Sequence, residues 1–216
     1  MQGRRNFLTD FDRKAKDWDA DPVKVERARV VAAAIREQVP LHPPIMALEY
    51  GCGTGLLSFA LQSVLSRITL ADSSPGMLAV LRDKIAAGGI GNMTAVQLDL
   101  CVDPLPADRY NLIYTLMTLH HIRDIGRLLN DFHALLKSPG YLCIADLDLE
   151  DGSYHGDDFH GHTGFDRHDL QEKLERAGFG RISFSTVYEM TKETKNGRKS
   201  FPLFLAVAAK CNRQTA

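Results

Sequence analysis

An apolar run that leads into three alternating glycines constrains this chain more than any other feature of its sequence. The run, residues 44–48, is followed by Gly51, Gly53 and Gly55. Glycines at such positions let the backbone approach a ligand with no Cβ in the way, and a helix that follows them offers unpaired N–H groups at its start. The stretch therefore predicts a strand, a tight turn and a helix that together bind a nucleotide-like cofactor.

The spacing of the glycines argues against a dinucleotide. The dinucleotide fingerprint needs its third glycine three residues after the second, where it lets the helix pack closely on the strand. In this chain Leu56 occupies that position. Glu49 and the glycines instead form an ExGxGxG pattern, which resembles the first motif of the class I S-adenosylmethionine-dependent methyltransferases.

A second predicted strand, Arg67–Asp72, ends in a carboxylate. A carboxylate at this place can accept hydrogen bonds from both hydroxyls of a ribose, so Asp72 is the predicted ribose ligand. Ser74 as N-cap and Pro75 at the first helical position predict the start of the next helix. The segment is similar to the family's D-x-S-x-x-M-L pattern, whose methionine packs near adenine; this makes Met77 a candidate, and a core-facing methionine is the alternative.

A third predicted strand, residues 93–100, also ends in an acid. The resemblance implies that Asp99 receives the adenine amino group and that Leu100 offers its backbone N–H to the ring. The alternative for Asp99 is a turn cap, which is the role predicted for Asp103 and Asp108.

A fourth predicted strand starts at Tyr110 and leads into paired histidines. The segment resembles the family's fourth strand and its LHH loop, although Asn111 stands where the family usually has Asp. Ligands of open α/β sheets lie beyond the carboxyl ends of the strands. Tyr114, Thr115 and Met117 are therefore expected to border the methyl group and the substrate, with Thr115 as a cofactor contact.

The paired histidines are candidates for chemistry. Histidine accepts protons near neutral pH, so His120 is the predicted catalytic base and His121 is predicted to face the substrate. The alternative is that a histidine here orients the loop by hydrogen bonding or caps the next helix.

The N-terminal arm, residues 1–22, carries Phe11 and Trp18 in a pattern that resembles the FDxxAxxWD leader of many small-molecule methyltransferases. The resemblance implies that this arm closes over the cofactor pocket as a lid, with Trp18 as a cofactor contact. The alternative is that Trp18 only anchors the arm. Residues 23–216 are predicted to form a single domain.

A loop rich in histidine and acids, residues 148–165, precedes the last predicted helix. Its side chains are the right types for zinc or iron, but their spacing matches no closed structural site, and we predict no metal. Loops at this edge of a sheet diverge to fit different substrates. The predicted substrate-facing residues here are Tyr154, His155, His160 and His162.

Further elements follow from periodicity, capping residues and turn residues. They comprise helices over residues 23–38, 125–136 and 166–178, a Pro-Gly turn over residues 137–140, and closing strands Phe179–Tyr188 and Phe201–Ala208 joined by a hairpin containing Asn196–Gly197. The resemblance implies a three-layer, doubly wound α/β fold with a mostly parallel seven-stranded sheet and an antiparallel final strand. The complete set of predicted cofactor contacts is Trp18, Glu49, Gly51, Cys52, Gly53, Gly55, Asp72, Ser73, Met77, Asp99, Leu100 and Thr115.

Composition restricts the partners of the chain. Its formal net charge is −1, which argues against a large electrostatic grip on nucleic acid. The four cysteines form no CxxC pair, which predicts reduced thiols in a cytoplasmic protein without structural zinc. No apolar run is long enough to span a membrane.

These features predict a methyltransferase that moves the methyl group of S-adenosylmethionine to a small-molecule acceptor by in-line displacement. The protein is expected to be a monomer or a homodimer. One alternative is a non-catalytic protein that binds S-adenosylmethionine or S-adenosylhomocysteine, and another is a methyltransferase acting on protein or RNA. A nicotinamide-dependent oxidoreductase would share the fold, but Leu56 disfavours it.

Overall fold

The computed structural model of the protein describes residues 10–156, 159–195 and 197–210. The chain divides into two compact units, Met1–Pro104 and Leu105–Ala216. Residues 1–9 of the predicted arm and Asn196 of the predicted hairpin lie outside the described part. The single domain over residues 23–216 stays a prediction.

The first unit alternates helices with parallel strands, as expected of an α/β chain. Asp21 caps its longest helix by accepting a hydrogen bond from Val23 N (2.9 Å), and the Ser74 hydroxyl caps the third by accepting one from Met77 N (3.1 Å). The elements are α1 (Pro22–Gln38), β1 (Met46–Tyr50), α2 (Leu56–Leu61), β2 (Arg67–Asp72), α3 (Pro75–Ala87) and β3 (Met93–Gln97), with 3₁₀ helices at Ala15–Ala20 and Gln62–Val64.

The third strand is shorter than predicted. It ends at Gln97, and the predicted extension to residue 100 is wrong. The carbonyl of Asp99 accepts hydrogen bonds from Val102 N (2.9 Å) and Asp103 N (2.8 Å). This local turn competes with strand pairing, because the two backbone bonds require the chain to fold back on itself.

The second unit holds four strands and two α-helices within its described residues. Asp166 caps its last helix by accepting from His168 N (2.9 Å) and Asp169 N (3.0 Å), and Gly178 follows the helix with a φ of 94°. The elements are β4 (Tyr110–Leu116), α4 (Ile125–Leu135), β5 (Leu136–Leu147), α5 (Arg167–Arg176), β6 (Gly180–Thr194) and β7 (Gly197–Lys210), with a 3₁₀ helix at Leu119–His121.

The predicted Pro-Gly turn lies inside strand β5. Tyr110 pairs with Leu136 and Leu112 pairs with Tyr141, so residues 137–140 interrupt the pairing of β5 with β4, although Gly140 pairs with Lys210 of β7. The predicted turn residues are therefore present, but β5 already begins before them, at Leu136. Both closing strands also extend farther than predicted, because β6 and β7 remain paired as far as Thr194 and Gly197.

The strands form one seven-stranded sheet in the order β3-β2-β1-β4-β5-β7-β6. In the first unit β1, β2 and β3 are parallel, with Leu48 opposite Thr69 and Thr69 opposite Thr94. In the second unit β4 and β5 are parallel, whereas β7 runs antiparallel to both β5 and β6. The predicted seven-stranded sheet with its reversed final strand is confirmed. Among the described residues, no helix combines the length and the apolar character that crossing a membrane requires.

Candidate functional site

The glycine loop, residues 51–55, follows β1 and has a backbone that only glycine adopts easily. Gly51, Gly53 and Gly55 have φ angles of 70°, 53° and 83°, which are left-handed. A Cβ on Gly55 would lie 2.7 Å from Leu81 Cδ1, so this glycine is needed for packing. Among the described residues, the atoms nearest to a Cβ on Gly53 would be Met77 Sδ and Trp18 Nε1, each at 3.9 Å.

A Cβ at residue 53 would therefore be in van der Waals contact with Met77 and Trp18, both of which are predicted cofactor contacts. Met77 is buried at the start of α3, and Trp18 is half-buried. Phe11 packs edge-on against Trp18, with ring centroids 5.9 Å apart, and Lys24 Nζ lies 4.3 Å from the centre of the indole. A flat group at Gly53 would thus meet a thioether and an aromatic ring.

Asp72 ends β2 beside the glycine loop. Its Oδ2 accepts a hydrogen bond from Gly53 N (2.7 Å), and its Oδ1 accepts one from Ser74 N (2.8 Å). Burial raises the pKa of Asp72 above its ordinary value, although the N–H groups of Ser74, Gly53 and Ser73 oppose the rise. The carboxylate is thus fixed in position by backbone donors, as a ligand for hydroxyl groups must be.

Glu49 is buried beneath the loop. The hydroxyl and the N–H of Ser58 both donate to Glu49 Oε2, the N–H at 3.2 Å. Burial raises the pKa of Glu49 to about 8, and the Ser58 bonds only partly oppose this. Burial also raises the pKa of the Cys52 thiol well above its usual range, so Cys52 is not poised as a nucleophile.

Two carboxylates of the N-terminal segment bind other parts of the first unit, and neither was a predicted site residue. Asp12 Oδ1 accepts hydrogen bonds from the Ser74 hydroxyl (2.5 Å) and Gly76 N (2.8 Å) at the start of α3. Asp19 accepts from the Thr54 hydroxyl and from Lys84 Nζ, each at 2.5 Å. Both acids belong to the leader pattern that contains Phe11 and Trp18, so the pattern itself held the signal.

The turn after β3 uses its polar groups internally. Asp99 Oδ1 accepts from Cys101 N (3.0 Å), and Asp99 N donates to Asp103 Oδ2 (2.7 Å). The N–H of Leu100 donates to the Tyr50 hydroxyl (3.2 Å). Asp99 thus makes the contacts expected of a turn cap, which was the alternative role. An adenine ring that accepted a hydrogen bond from Leu100 N would have to replace the Tyr50 hydroxyl.

The carboxyl end of β4 places three predicted residues in different environments. Tyr114 is fully buried, and Met117 is half-buried with a φ of 53°, which is unusual for a side chain of its size. Thr115 is 1% exposed, and its hydroxyl has no hydrogen-bond partner in the described ranges. A buried hydroxyl without a partner is costly, so Thr115 has an unfilled hydrogen-bonding capacity.

His120 lies in the 3₁₀ helix after β4 and is 1% exposed. Its Nδ1 is 2.6 Å from Oδ1 of Asp146, which is fully buried near the end of β5. The backbone of His120 also holds the neighbouring loop, because its carbonyl accepts from His162 N (2.7 Å). Both roles considered for this residue, proton acceptor and organiser of the loop, therefore remain supported by contacts.

Three aromatic rings pack around His120 and form with it what we call the histidine cluster: His120, His121, His155 and Phe159. The centroids of His121, His155 and Phe159 lie 4.2, 4.8 and 5.9 Å from that of His120. His155 stacks on Phe159 at 3.9 Å with an interplanar angle of 15°, and Tyr154 packs on His155 at 4.7 Å.

The two remaining predicted residues of the loop, His162 and His160, differ in their contacts. His162 donates its N–H to His120 and its ring Nε2 lies 2.9 Å from the Ile122 carbonyl, so it ties the loop to the segment after β4. His160 is exposed, and no ring contact joins it to the cluster in the part of the loop that is described. In the described ranges of the chain, no group of three or more His, Cys, Asp or Glu side chains could hold a metal ion.

The residues of the first unit fit an S-adenosyl cofactor. A Cβ on Gly53 would stand in the space that Met77 and Trp18 border, and Asp72 lies beside it with its carboxylate held by backbone N–H groups. These groups offer a backbone without side chain, two apolar surfaces and an acceptor for hydroxyls. They are what the adenosine part of such a cofactor needs.

Comparisons with known proteins bear on the same residues. A family model described as "Methyltransferase domain" matches residues 24–183. The malonyl-[acyl-carrier protein] O-methyltransferase of Laribacter hongkongensis (strain HLHK9) is 28% identical over 199 residues, which cover 80% of this chain and 65% of that protein. The chain thus spans less than two thirds of that relative's length.

Two solved structures have a similar fold at low sequence identity. The phosphoethanolamine N-methyltransferase 2 of Haemonchus contortus in complex with S-adenosyl-L-methionine gives a TM-score of 0.69 at 16% identity, over 84% of this chain and 52% of that one. The [4+2]-cyclase SpnF gives a TM-score of 0.69 at 16% identity, over 85% and 81%. The two names differ in chemistry, so the likeness shows the fold and leaves the reaction open.

The family model, in contrast, matches the chain from the first turns of α1 into β6 and includes the glycine loop, Asp72 and the histidine cluster. Together with the strand order, it identifies the chain as a member of the family of class I S-adenosylmethionine-dependent methyltransferases.

Proposed function

We propose that this protein transfers the methyl group of S-adenosylmethionine to a small-molecule acceptor. The observation that carries the proposal is the Asp72 carboxylate, which the N–H groups of Gly53 and Ser74 hold beside the glycine loop, where Met77 and Trp18 border Gly53. When bound, the cofactor would supply a sulfonium methyl group, whose carbon an acceptor can attack on the side opposite the departing sulfur.

The residues of the chain contribute binding and orientation. Asp72 accepts the hydroxyls of the ribose, Met77 and Trp18 cover the adenine, and Asp99 receives its amino group. The Thr115 hydroxyl, buried and without a partner among the described residues, gains a hydrogen bond when the site fills. The remaining contacts in this proposal are Glu49, Gly51, Cys52, Gly53, Gly55, Ser73 and Leu100.

The N-terminal arm acts as the lid of this site. Asp12 and Asp19 hold it on the start of α3 and on the glycine loop, which supports an arm that closes over the cofactor and excludes water. Residues 23–216 then form the catalytic domain.

A small acceptor is favoured by the relative whose name gives an acyl-carrier-bound malonyl group as the substrate, and by the near-zero charge of the chain. Tyr114, Met117, His121, Tyr154, His155, His160 and His162 are proposed to face it. The free thiols of Cys52, Cys101 and Cys143 support a cytoplasmic location, and the protein is proposed to act as a monomer or a homodimer.

The test is transfer of labelled methyl groups from S-adenosylmethionine into a cytosolic extract that is then separated into small-molecule, protein and RNA fractions. We expect label in the small-molecule fraction. Asp72→Ala should reduce the affinity for the cofactor by about 10- to 100-fold, because hydrogen bonds to a charged acceptor are lost. Asp83→Ala is the matched control, since this exposed acid lies on α3.

The other outcomes separate the alternatives. Label in the protein or RNA fraction would keep the reaction and overturn the acceptor class. Cofactor binding without any transfer would favour a binding protein. Equal cofactor affinity in the wild type and in Asp72→Ala would contradict the proposed cofactor site.

A further inference from the structure

The ring of His120 contacts a carboxylate that no sequence motif singles out. Asp146 Oδ1 lies 2.6 Å from His120 Nδ1. The same carboxylate accepts from Leu147 N (2.8 Å) through Oδ1 and from His120 N (3.4 Å) through Oδ2. Asp146 and His120 are 0% and 1% exposed, so water does not screen the pair.

The state of Asp146 decides which nitrogen of His120 carries the proton. Burial alone would raise the pKa of Asp146, but the charge and hydrogen bond of His120 and the two N–H groups outweigh burial and lower it. An ionised carboxylate can only accept hydrogen bonds, so His120 Nδ1 must donate. In the neutral ring the lone pair is then on Nε2, which is the nitrogen that can take a proton.

The other titratable groups that face His120 do not compete for this proton. They are His121 from the same 3₁₀ helix and His155 from the loop after β5. Burial, aided by the charge of His120, lowers the pKa of His121 to about 3 and that of His155 to about 4. Both rings are therefore neutral near pH 7, whereas the ring of His120 is hydrogen-bonded to the Asp146 carboxylate.

The histidine cluster also contains a buried ring nitrogen that can form a further hydrogen bond. Nε2 of His155 is buried and has no hydrogen-bond partner in the described ranges. The ring of His155 is held by stacking on Phe159 and by the edge contact with Tyr154. A ligand with an oxygen or a hydroxyl near His120 would satisfy this nitrogen as well.

We propose that Asp146 is a positioning residue that makes His120 Nε2 a general base for an acceptor carrying a hydroxyl group. The hydroxyl proton moves to Nε2, an oxygen lone pair forms a bond to the methyl carbon, and the carbon–sulfur bond breaks with its electrons going to sulfur. The products are a methyl ether, S-adenosylhomocysteine and a protonated His120, which returns its proton to water. The inference rests on the proposed methyltransferase function and adds the acceptor class.

His155 and Phe159 cover the His120 ring, so the acceptor reaches Nε2 by taking the place of their stacked pair or by moving it aside. Three rings and a buried nitrogen suit an acceptor whose hydroxyl is attached to a flat, apolar body. The flat body of such an acceptor would make ring contacts like those of His155 and Phe159, and its oxygen would add a hydrogen bond.

The tautomer of His120 can be measured without any acceptor. Long-range proton–nitrogen correlation spectra of protein labelled with ¹⁵N-histidine distinguish Nδ1–H from Nε2–H, and the His120 signals are those that disappear in His120→Asn. We expect the neutral His120 ring of the wild type to be in the Nδ1–H form. Asp146→Asn, which retains the shape of the side chain, should convert part of the population to Nε2–H, whereas Asp131→Asn on α4 should not.

The second measurement is the pH profile of labelled methyl transfer into the small-molecule fraction of the extract. We expect Asp146→Asn to reduce turnover near neutral pH by about 10²- to 10⁴-fold, the usual contribution of a general base, with cofactor affinity within about twofold of the wild type. The loss should shrink as the pH rises, because a more basic medium assists removal of the hydroxyl proton. A purely structural role would lower transfer equally at every pH.

The outcomes keep the two proposals apart. A wild-type protein that binds the cofactor but transfers no label would contradict the proposed function. The tautomer measurement would still test whether Asp146 holds the proton on His120 Nδ1. A wild-type His120 in the Nε2–H form would overturn the inference without any variant. It would also be overturned by methylated products that are only amines or thiols, or by full activity of Asp146→Asn.

Discussion

The glycine loop and the histidine cluster satisfy their polar groups in different ways. In the first unit, Asp72 accepts from the backbone of Gly53 and Ser74, and Asp12 accepts from the backbone of Gly76. In the second unit, His120 pairs with another side chain and is surrounded by rings. The first arrangement is fixed by the backbone, and the second depends on packing between distant residues.

This difference indicates how strictly each region restricts its residue types. Backbone donors and left-handed glycines restrict the residue types at the glycine loop, as a cofactor shared by a whole family requires. Packed rings can be exchanged for other rings while the sheet stays the same. The cluster therefore suits recognition of an acceptor that differs from one protein to the next.

The largest expected effect tests whether the histidine-rich loop also contains a backbone constraint. A Cβ on Gly164 would lie 2.1 Å from the Asp148 carbonyl oxygen, whereas a Cβ on Gly156 would meet no atom of the described residues within 4 Å. Both glycines have positive φ, 79° and 87°. Gly164→Ala should lower the free energy of unfolding by about 3 kcal/mol or more, and Gly156→Ala by about 1 kcal/mol.

Urea denaturation of the two variants measures this difference. Equal losses of unfolding free energy in the two variants would mean that the histidine-rich loop adapts around residue 164. The difference between this loop, which depends on packing, and the glycine loop, which depends on its backbone, would then be larger. A loss confined to Gly164→Ala would place one end of the histidine-rich loop in the same class as the glycine loop.

An intermediate effect concerns the buried carboxyl beneath the glycine loop. The pKa of Glu49 is raised from 4.5 to about 8, so the folded protein favours the protonated carboxyl. A raised pKa contributes stability at low pH that is lost as the pH rises toward the folded value. Between about pH 5 and 8 the wild type should lose about 2 kcal/mol or more relative to Glu49→Gln, which cannot ionise.

Thermal or urea unfolding at several pH values provides the measurement, with Glu37→Gln on the exposed side of α1 as the control. Parallel pH dependences of the wild type and Glu49→Gln would show that Glu49 is ionised in the folded protein. Glu49 would then be a buried, ionised carboxylate like Asp146, and the two regions would not differ in the ionisation of their buried acids.

The smallest effect concerns the N-terminal arm. Asp12 caps α3 from a distance, so Asp12→Ala should cost about 1 kcal/mol, as expected for a lost helix cap. Trp18 is the only tryptophan of the chain, and its emission should shift to longer wavelength as the arm becomes more exposed. The exposed Asp17 in the same segment supplies the control, Asp17→Ala. An unchanged emission spectrum in Asp12→Ala would show that the rings alone hold the arm.

Local chemistry explains what the sequence could predict. The limits of β2 agree with Arg67–Asp72 to the residue, and the caps at Ser74 and Asp166 are as expected, because each depends on residues close in sequence. The end of β3 was not predictable, since the turn at Asp99 outcompetes strand pairing. Nor was the pairing of His120 with Asp146, which lie on different elements and meet only through the register of β4 and β5.

The central claim is that cofactor binding and proton removal belong to separate sets of residues. Calorimetric titration of S-adenosylmethionine into the wild type, Asp72→Ala and Asp146→Asn tests it directly. We predict that Asp72→Ala raises the dissociation constant by about 10- to 100-fold and that Asp146→Asn leaves it within about twofold. An equal loss of affinity in both variants, or an unchanged affinity in Asp72→Ala, would contradict the account.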